Sequence, residues 1–328
     1  MKKNLIFLAL AAIGLASCNG GFKKGDHGLL YNINVDKSGT NIKTGDFVNV
    51  NLTIKNDADS VLLSSYELGH SFPLYSRPQL PGDVFDAFTS LSEGDSVTVK
   101  VLGDSVYKNK GQRPFNFTGK YLTYSLKIEK VIAKGTQTDQ VFHDAVANYM
   151  KGEGDKMKAK EPAAIQKYIT DNKLNVTKTA TGLNYVITKP GTGPLPNAGD
   201  TVYVNYVGRF TNGKVFETSI KEEAIKAKTY SAQNPYQPIS LPIGQGKVIP
   251  GWDQGIMLLN KGAKATFVIP SDLAYKDQGN QVIGPYTPLV FEIELVNIKP
   301  ADPNAPKPAN PILNMPAPGK AVGPAKTK

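Results

Sequence analysis

The side chains best suited to a binding or catalytic role lie around one tight apolar turn, Val248 to Asp253. The turn reads V-I-P-G-W-D and carries the only tryptophan of the chain. Trp252, Ile256 and Leu259 stand at i, i+4 and i+7, a spacing that places three side chains on one helical face. Gly262 is predicted to end this helix by adopting the left-handed backbone conformation. An indole at the first turn of a short helix can form the floor of an apolar pocket, or it can be ordinary core.

Residues that would support other kinds of chemistry are scattered or absent. His27, His70 and His143 lie far apart in the sequence, without metal-ligand spacing. Cys18 is the only cysteine, so we expect no intrachain disulfide and no catalytic thiol. The sequence contains no Ser/His/Asp arrangement and no phosphate-binding glycine loop. It therefore predicts a site that uses neither a metal nor a cofactor.

The charge of the chain does not point to nucleic acid. Lysine and arginine total 38 against 28 acidic residues, a formal net charge of +10. No block of basic residues is interleaved with aromatic residues, as nucleic-acid binding would favour. We therefore expect no nucleic-acid partner, and a basic solvated surface or weak attraction to anionic lipid instead.

Two β-rich segments, residues 28–132 and 178–299, follow one pattern. Both contain runs in which apolar and polar residues alternate with period two, as strands do. Several residues of the first segment recur at matching positions in the second: Gly45-Asp46, Ser65, Gly94 and Tyr107 correspond to Gly199-Asp200, Ser219, Gly262 and Tyr275. The offset grows from 154 to 168 positions, which places 14 extra residues in the second copy, between Ser219 and Pro250. The chain therefore contains an internal repeat.

The second copy carries several motifs in a fixed order. Tyr203–Ser219 reads Y-V-N-Y-V-G-R-F-T-N-G-K-V-F-E-T-S and precedes the V-I-P-G-W-D turn, and Ile269–Tyr275 reads I-P-S-D-L-A-Y. The segment closes with P-L-V-F-E-I-E-L at Pro288–Leu295. Together these motifs closely resemble the FKBP-type peptidyl-prolyl isomerases over residues 180–299. The resemblance implies an α+β fold, an antiparallel half-barrel sheet wrapped on a short helix with an apolar cleft between them. The first copy resembles the family in outline, so we expect two FKBP-like half-barrels joined by a helical linker.

The resemblance also implies a set of site residues. Five aromatic side chains would take catalytic positions: Tyr206, Phe216, Trp252, Tyr275 and Phe291. Substrate contacts would come from Glu217, Ile239, Val248, Ile249 and Ile283, with Val282 as the alternative to Ile283. In this family the backbone N–H at the position of Ile249 holds a substrate carbonyl. Glu217 stands where the family usually has Asp, and Ile239 where it usually has an aromatic residue. These departures bear on macrolide affinity and substrate preference more than on activity.

An aromatic cleft suits the isomerisation of X-Pro bonds. The barrier of about 18–20 kcal/mol arises from lost amide resonance, so no nucleophile or cofactor is required. The twisted carbonyl of the transition state is less polar and loses less on leaving water. A dry pocket with one or two aimed donors therefore binds the twisted form better than the planar one.

The first copy has lost the aromatic side chains of this pocket. The residues Leu52, Leu62, Leu63 and Val84 stand opposite Tyr206, Phe216, Glu217 and Trp252. Val84, Phe88 and Leu91 nevertheless keep the i, i+4, i+7 spacing, and Gly94 keeps the position of the stop. We expect the first domain to fold similarly and to lack isomerase activity.

A segment of helical pattern, residues 136–177, separates the two copies. Apolar spacing predicts one helix around Val141–Tyr149 and a second around Ala163–Ile169, with Glu161-Pro162 near its start. The run Lys151–Lys160 is predicted to be a solvated joint. Because the apolar faces of these helices need a partner, one hypothesis is a homodimer formed through residues 138–172.

Both ends of the chain lie outside the two copies. Residues 1–17 combine two lysines with a short apolar run, as secretory signals do. Leu15–Cys18 resembles the lipobox of bacterial lipoproteins, which implies acylation of Cys18 and a tether over residues 18–25. The predicted domains are then residues 26–135 and 178–299. Residues 300–328 are rich in proline and predict a disordered tail.

These features predict an exported, lipid-anchored protein of the bacterial cell envelope. Asn19 after Cys18 indicates, by resemblance to bacterial sorting signals, the outer membrane with the protein facing the periplasm. The leading hypothesis is a peptidyl-prolyl isomerase that acts on proline-containing unfolded or nascent exported proteins. The alternative is a non-catalytic folding chaperone or binding module of the envelope.

Overall fold

The computed structural model describes residues 21–77, 82–107, 119–280 and 282–301. The described chain divides into two compact units, which meet in sequence at Gln137 and Thr138. The short segment Tyr66–His70 is grouped with the second unit. The predicted signal, Cys18, the start of the tether and residues 302–328 lie outside the described residues.

The first unit is built on an antiparallel sheet with short helical turns. Its described strands are β1 Lys23–Lys24, β2 Leu30–Val35, β3 Phe47–Lys55, β4 Val61–Ser64, β5 Phe72–Tyr75, β6 Ser96–Leu102 and β7 Tyr121–Ile132. The helical elements of this part of the chain are α1 Ser65–Leu68, α2 Gly103–Tyr107 and the 3-10 turns Asp26–Gly28 and Val84–Ser90. The sheet order is β1-β2-β6-β7-β3-β4, and β5 also pairs with β3. Phe88 and Leu91 are fully buried in the core against this sheet.

The second unit repeats the same connectivity. Its described strands are β8 Thr177–Lys178, β9 Asn184–Lys189, β10 Thr201–Phe210, β11 Val215–Thr218, β12 Ile239–Pro242, β13 Lys264–Ile269 and β14 Leu289–Lys299. Its helical elements are α3 Asp139–Asp171, α4 Lys221–Lys226, α5 Pro250–Ile256 and the 3-10 turn Ser271–Leu273. The order β11-β10-β14-β13-β9-β8, with β12 also on β10, maps strand by strand onto the first sheet. The predicted α+β fold class with two antiparallel sheets and a helical segment between them is confirmed.

The two units also share local hydrogen bonds at equivalent positions. The Ser65 hydroxyl accepts the N–H of Leu52 at 3.0 Å, and the Ser219 hydroxyl accepts the N–H of Tyr206 at 2.9 Å. Both serines lie just after the short strand that pairs with the end of β3 or β10. A serine at this point therefore ties the turn back to the same place on the neighbouring strand.

The core of the second unit lies between its sheet and α5. Val202, Val204 and Tyr206 are all buried, as strand alternation predicts for one face of β10. Helix α5 packs closely on β13 because it carries two glycines. A Cβ atom at Gly251 would lie 2.5 Å from Ile269, and one at Gly255 would lie 2.6 Å from the Phe267 ring.

The predicted pair of helices is wrong, because residues Asp139–Asp171 form one continuous helix. The run Lys151–Lys160, expected to be a joint, is helical throughout. Its charged residues form pairs at helical spacing, including Lys151 with Asp155 at 3.1 Å. Pro162 lies inside the helix and not near its start. A proline removes one backbone hydrogen bond, and packing of the following residues offsets that loss.

The C-terminal part of α3 belongs to the second unit rather than to a free linker. Tyr168 is 8% exposed and packs with Val268 of β13 and Val290 of β14. Ile165 and Ile169 pack against the same cluster. The apolar side chains at this end of α3, for which the sequence predicted no partner within the chain, therefore pack on the sheet of the second unit.

Two smaller expectations also fail. Gly262 does not end α5, which stops at Ile256; Leu259 follows in a separate turn. Gly262 has a φ of +82° and donates its N–H to Leu295 at 2.7 Å, so it forms the turn into β13. Lys23 and Lys24, expected in the tether, pair with β2 as a two-residue strand. Within the described residues, no helix has both the length and the apolar character that crossing a membrane requires.

Candidate functional site

Four of the five predicted catalytic aromatics form one cluster. The Trp252 ring lies 5.1 Å from the rings of both Tyr206 and Phe291, edge-on to each. Phe291 also meets Phe216 edge-on at 5.7 Å. Edge-to-face contacts at these distances are the favoured geometry for aromatic rings. Trp252 is 5% exposed and lies at the first turn of α5.

Strand register brings the cluster together. In the antiparallel pair of β10 and β14, Phe291 lies directly opposite Gly208. A Cβ atom at Gly208 would lie 2.7 Å from Cζ of Phe216 and 2.9 Å from Cε1 of Phe291. The absence of a side chain at Gly208 therefore lets the two rings meet over the strand. Gly208 belongs to none of the positions predicted from the sequence, although a glycine within a strand is a sign of close approach.

Tyr275, the fifth aromatic, lies near Tyr206 and Glu217. Burial is the main cause that raises the pKa of Tyr206, and the nearby Glu217 carboxylate adds to it by charge and by accepting a hydrogen bond. Burial, followed by the charge of Glu217, also raises the pKa of Tyr275. Both hydroxyls therefore stay protonated at neutral pH. Tyr275 is 37% exposed, so its side chain reaches the surface beside the buried rings.

The rim of the site is the loop that leads into α5. Val248 and Ile249 are half-buried, and the carbonyl of Ile249 accepts the N–H of Trp252 at 2.9 Å. The N–H of Ile249 has no hydrogen-bond partner among the described residues. Asp253 fixes this loop, because its carboxylate accepts the N–H of Gly244 at 2.9 Å and that of Gly246 at 2.6 Å. This role of Asp253 was not predicted from the sequence.

The remaining predicted positions separate into buried and peripheral ones. Ile283 is 3% exposed whereas Val282 is 46% exposed, so Ile283 is the apolar residue of this pair. The Asn280 side chain accepts the N–H groups of both. Ile239 is half-buried on β12, where it pairs with Val204 of β10. An aromatic residue that the sequence analysis missed, Phe210, lies 5.1 Å from Phe216.

The site is made mainly of apolar groups and neutral donors, with the Glu217 carboxylate beside the hydroxyls of Tyr206 and Tyr275. The indole Nε1 of Trp252 is buried without a hydrogen-bond partner among the described residues. Across the part of the chain that the structure describes, no group of three or more His, Cys, Asp and Glu side chains could hold a metal ion. The arrangement can enclose a small apolar ring between aromatic walls and present hydroxyl and N–H donors to it.

Comparison with known proteins identifies this part of the chain. Residues 193–296 match the family described as FKBP-type peptidyl-prolyl cis-trans isomerase. The chain carries a domain of that family. The matched residues include the four clustered aromatics, Tyr275 and both rim residues.

Individual relatives agree with that family. The chain is 43% identical over 164 residues to a protein of Neisseria meningitidis named probable FKBP-type peptidyl-prolyl cis-trans isomerase FkpA, covering 50% of each chain. It is 28% identical over 248 residues to the Escherichia coli FKBP-type isomerase FkpA, covering 67% of this chain and 82% of the relative. The crystal structure of the E. coli protein covers 52% of this chain at 29% identity, with a TM-score of 0.38. The chain spans about half of the length of the Neisseria relative.

Proposed function

We propose that this protein is a peptidyl-prolyl cis-trans isomerase whose FKBP-type domain catalyses rotation of X-Pro bonds. The observation that carries the proposal is the cluster of Tyr206, Phe216, Trp252 and Phe291, with Tyr275 beside it. The proline ring enters between these aromatic walls, with Trp252 as the floor. The substrates are proline-containing polypeptides.

The catalytic effect comes from selective binding of the twisted amide. The twisted carbonyl is less polar than the planar one, so its transfer from water into an apolar enclosure costs less free energy. The N–H of Ile249, which has no partner among the described residues, and the hydroxyl of Tyr275 can hold the substrate carbonyls. Each 1.36 kcal/mol of selective binding gives about a tenfold rate increase. Burial raises the pKa of Tyr206, and Glu217 adds to that rise by its charge and by accepting a hydrogen bond from the Tyr206 hydroxyl.

A peptide assay on the full chain tests this function. The relaxation of a chromogenic X-Pro peptide from cis to trans should be accelerated by the wild type. A variant with Trp252→Ala and Tyr206→Phe should lose at least about tenfold in kcat/KM, or 1.4 kcal/mol. The matched control is Tyr203→Phe, the same substitution on the opposite face of β10, which should retain full activity. A wild type without activity, or a double variant as fast as the wild type, contradicts the proposal.

The first unit favours a second candidate function, a folding chaperone or binding module. It has the connectivity of the second unit, but at the pocket positions it carries the aliphatic residues Leu52, Leu62, Leu63 and Val84. Such a unit keeps the fold but lacks the aromatic walls that isomerisation requires. The full-length Trp252→Ala, Tyr206→Phe variant should then still suppress aggregation of an unfolded client. Loss of suppression together with loss of isomerase activity would remove this candidate.

We further propose that the protein is anchored to the bacterial outer membrane through an acylated Cys18 and faces the periplasm. The support is the lipobox-like sequence Leu15–Cys18, followed by Asn19. Labelled fatty acid should enter the wild type and not a Cys18→Ala variant, which should also leave the membrane fraction. Equal labelling of both would contradict lipidation.

A homodimer through residues 138–172 also stays a proposal. Exposed apolar residues such as Val141 support it, whereas Tyr168 is already covered by the chain's own sheet. Sedimentation that finds only monomer at micromolar concentration would contradict it.

A further inference from the structure

Helix α3 makes a specific polar contact with the loop that follows β13. The carboxylate of Glu161 accepts two hydrogen bonds from one residue, the backbone N–H of Ser271 and, at 2.7 Å, its hydroxyl. Ser271 is 1% exposed and Glu161 is half-buried, so the contact is partly shielded from water. Hydrogen bonds to a charged acceptor are stronger than neutral ones, and a buried N–H left without a partner is costly. Glu161 therefore fixes the position of Ser271.

Ser271 in turn fixes the backbone on both sides of Tyr275. Its carbonyl oxygen accepts the N–H of Ala274 and the N–H of Lys276, each at 2.9 Å. Tyr275 lies between these two residues. The carboxylate of Glu161 is thus linked through Ser271 to the two amides beside Tyr275, because it holds the N–H side of Ser271 while the carbonyl side of Ser271 holds those amides.

A second contact ties the same helix to the far end of this loop. The Tyr286 ring lies beside α3, with a Cβ atom at Gly154 falling only 3.2 Å from its Cε2. The ammonium group of Lys158 lies 5.6 Å from the centre of that ring. The N–H of Tyr286 donates to the carbonyl of Lys276 at 2.7 Å, which closes the loop. Helix α3 therefore holds both ends of the segment that carries Tyr275.

We propose that Glu161 is a positioning residue of the isomerase, which places the Tyr275 hydroxyl at the pocket by acting through Ser271. The proposal rests on the proposed isomerase function. It assigns to the long helix a direct part in shaping the site, beyond joining two units. The helix can act this way because Tyr168, two turns further on, anchors it to β13 and β14.

The test is a double-mutant cycle on the full chain with Glu161→Ala and Tyr275→Phe. Glu161→Ala should lower kcat/KM about fivefold or more in the wild-type background, and less than about twofold when Tyr275→Phe is already present, since interacting residues are not additive. The matched control is Glu153→Ala, which removes a glutamate of the same helix that pairs only with Lys156 among the described residues. This control should retain full activity in both backgrounds.

Hydrogen exchange provides a reading that does not depend on activity. In Glu161→Ala, the amides of residues 271–276 should exchange about tenfold faster or more, because their local opening becomes easier. Glu153→Ala should leave that exchange unchanged. If the wild type has no isomerase activity, the proposed function fails, and the exchange result alone decides whether Glu161 holds the loop.

Three results overturn the inference. The first is unchanged activity in Glu161→Ala, and the second is an equal loss in both backgrounds, which indicates a general structural effect. The third is unchanged exchange of residues 271–276. If Glu161→Ala does not fold, Ser271→Ala takes its place in the same mutant cycle and the same exchange measurement. This variant keeps the hydrogen bond from the backbone N–H to Glu161 and loses the one from the hydroxyl.

Discussion

Gly208→Ala is the substitution that tests the packing of the candidate pocket most sharply. The added methyl group would lie 2.7 Å and 2.9 Å from two carbons of the Phe216 ring and 2.9 Å from Cε1 of Phe291. All three separations are well inside van der Waals contact, so both rings must move or the strand must shift. Overpacking of this kind costs about 1–3 kcal/mol of unfolding free energy. Because the same rings form the pocket walls, we expect kcat/KM to fall about tenfold as well.

Two assays on the full chain measure this effect. Chemical denaturation gives the change in unfolding free energy, and the X-Pro peptide assay gives kcat/KM. Gly152→Ala is the matched control, since a Cβ atom at this helical glycine meets nothing within 4 Å. That variant should be more stable than the wild type by about 0.5–1 kcal/mol, with unchanged activity. Wild-type stability and activity in Gly208→Ala would refute the argument that the ring contact requires a glycine.

Three further predictions concern the electrostatics, the rim and the helix. The pKa values of Tyr206 and Tyr275 are raised above the usual 10.0, so these hydroxyls lose their protons at lower pH in the unfolded chain than in the folded one. The free energy of unfolding should therefore fall as pH rises above 10, and it should fall less in Tyr206→Phe. The check is denaturation at pH 9 to 11.5, and an unchanged slope in Tyr206→Phe contradicts it. Asp253→Ala should lose about 1–2 kcal/mol and raise KM, because Gly244 and Gly246 lose their acceptor, whereas the exposed Asp277→Ala should change neither. Tyr168→Ala should cost about 3–5 kcal/mol of unfolding free energy, and a loss below 1 kcal/mol would contradict the packing of α3 on the sheet.

The sequence was most informative where several motifs had to agree. Trp252, Tyr206 and Phe216 are ordinary core residues when taken singly, but their order along the chain predicted a cluster that the structure contains. The burial of Val202, Val204 and Tyr206 on one face of β10 followed from alternation, although Val207 on the other face is buried as well. The matching residues of the two copies likewise anticipated two sheets of one connectivity.

What the sequence did not predict depends on tertiary contacts. Lys151–Lys160 reads as a polar joint because its composition carries no apolar stripe, yet charge pairs and packing at Tyr168 keep it helical. Gly208 gave only the general signal of a glycine within a strand, and Glu161 gave none, since it acts by meeting Ser271, 110 positions away. Gly262 was taken for a helix stop because left-handed glycines serve both helix ends and strand turns.

The central claim, that the cluster around Trp252 binds proline, can be tested with the chain's own fluorescence. Trp252 is the only tryptophan, so intrinsic emission reports on this one site. Titration of the full chain with an X-Pro peptide should give a saturable change in emission, and the same peptide with alanine in place of proline should give none. No change with the X-Pro peptide, or an equal change with both peptides, would contradict the account.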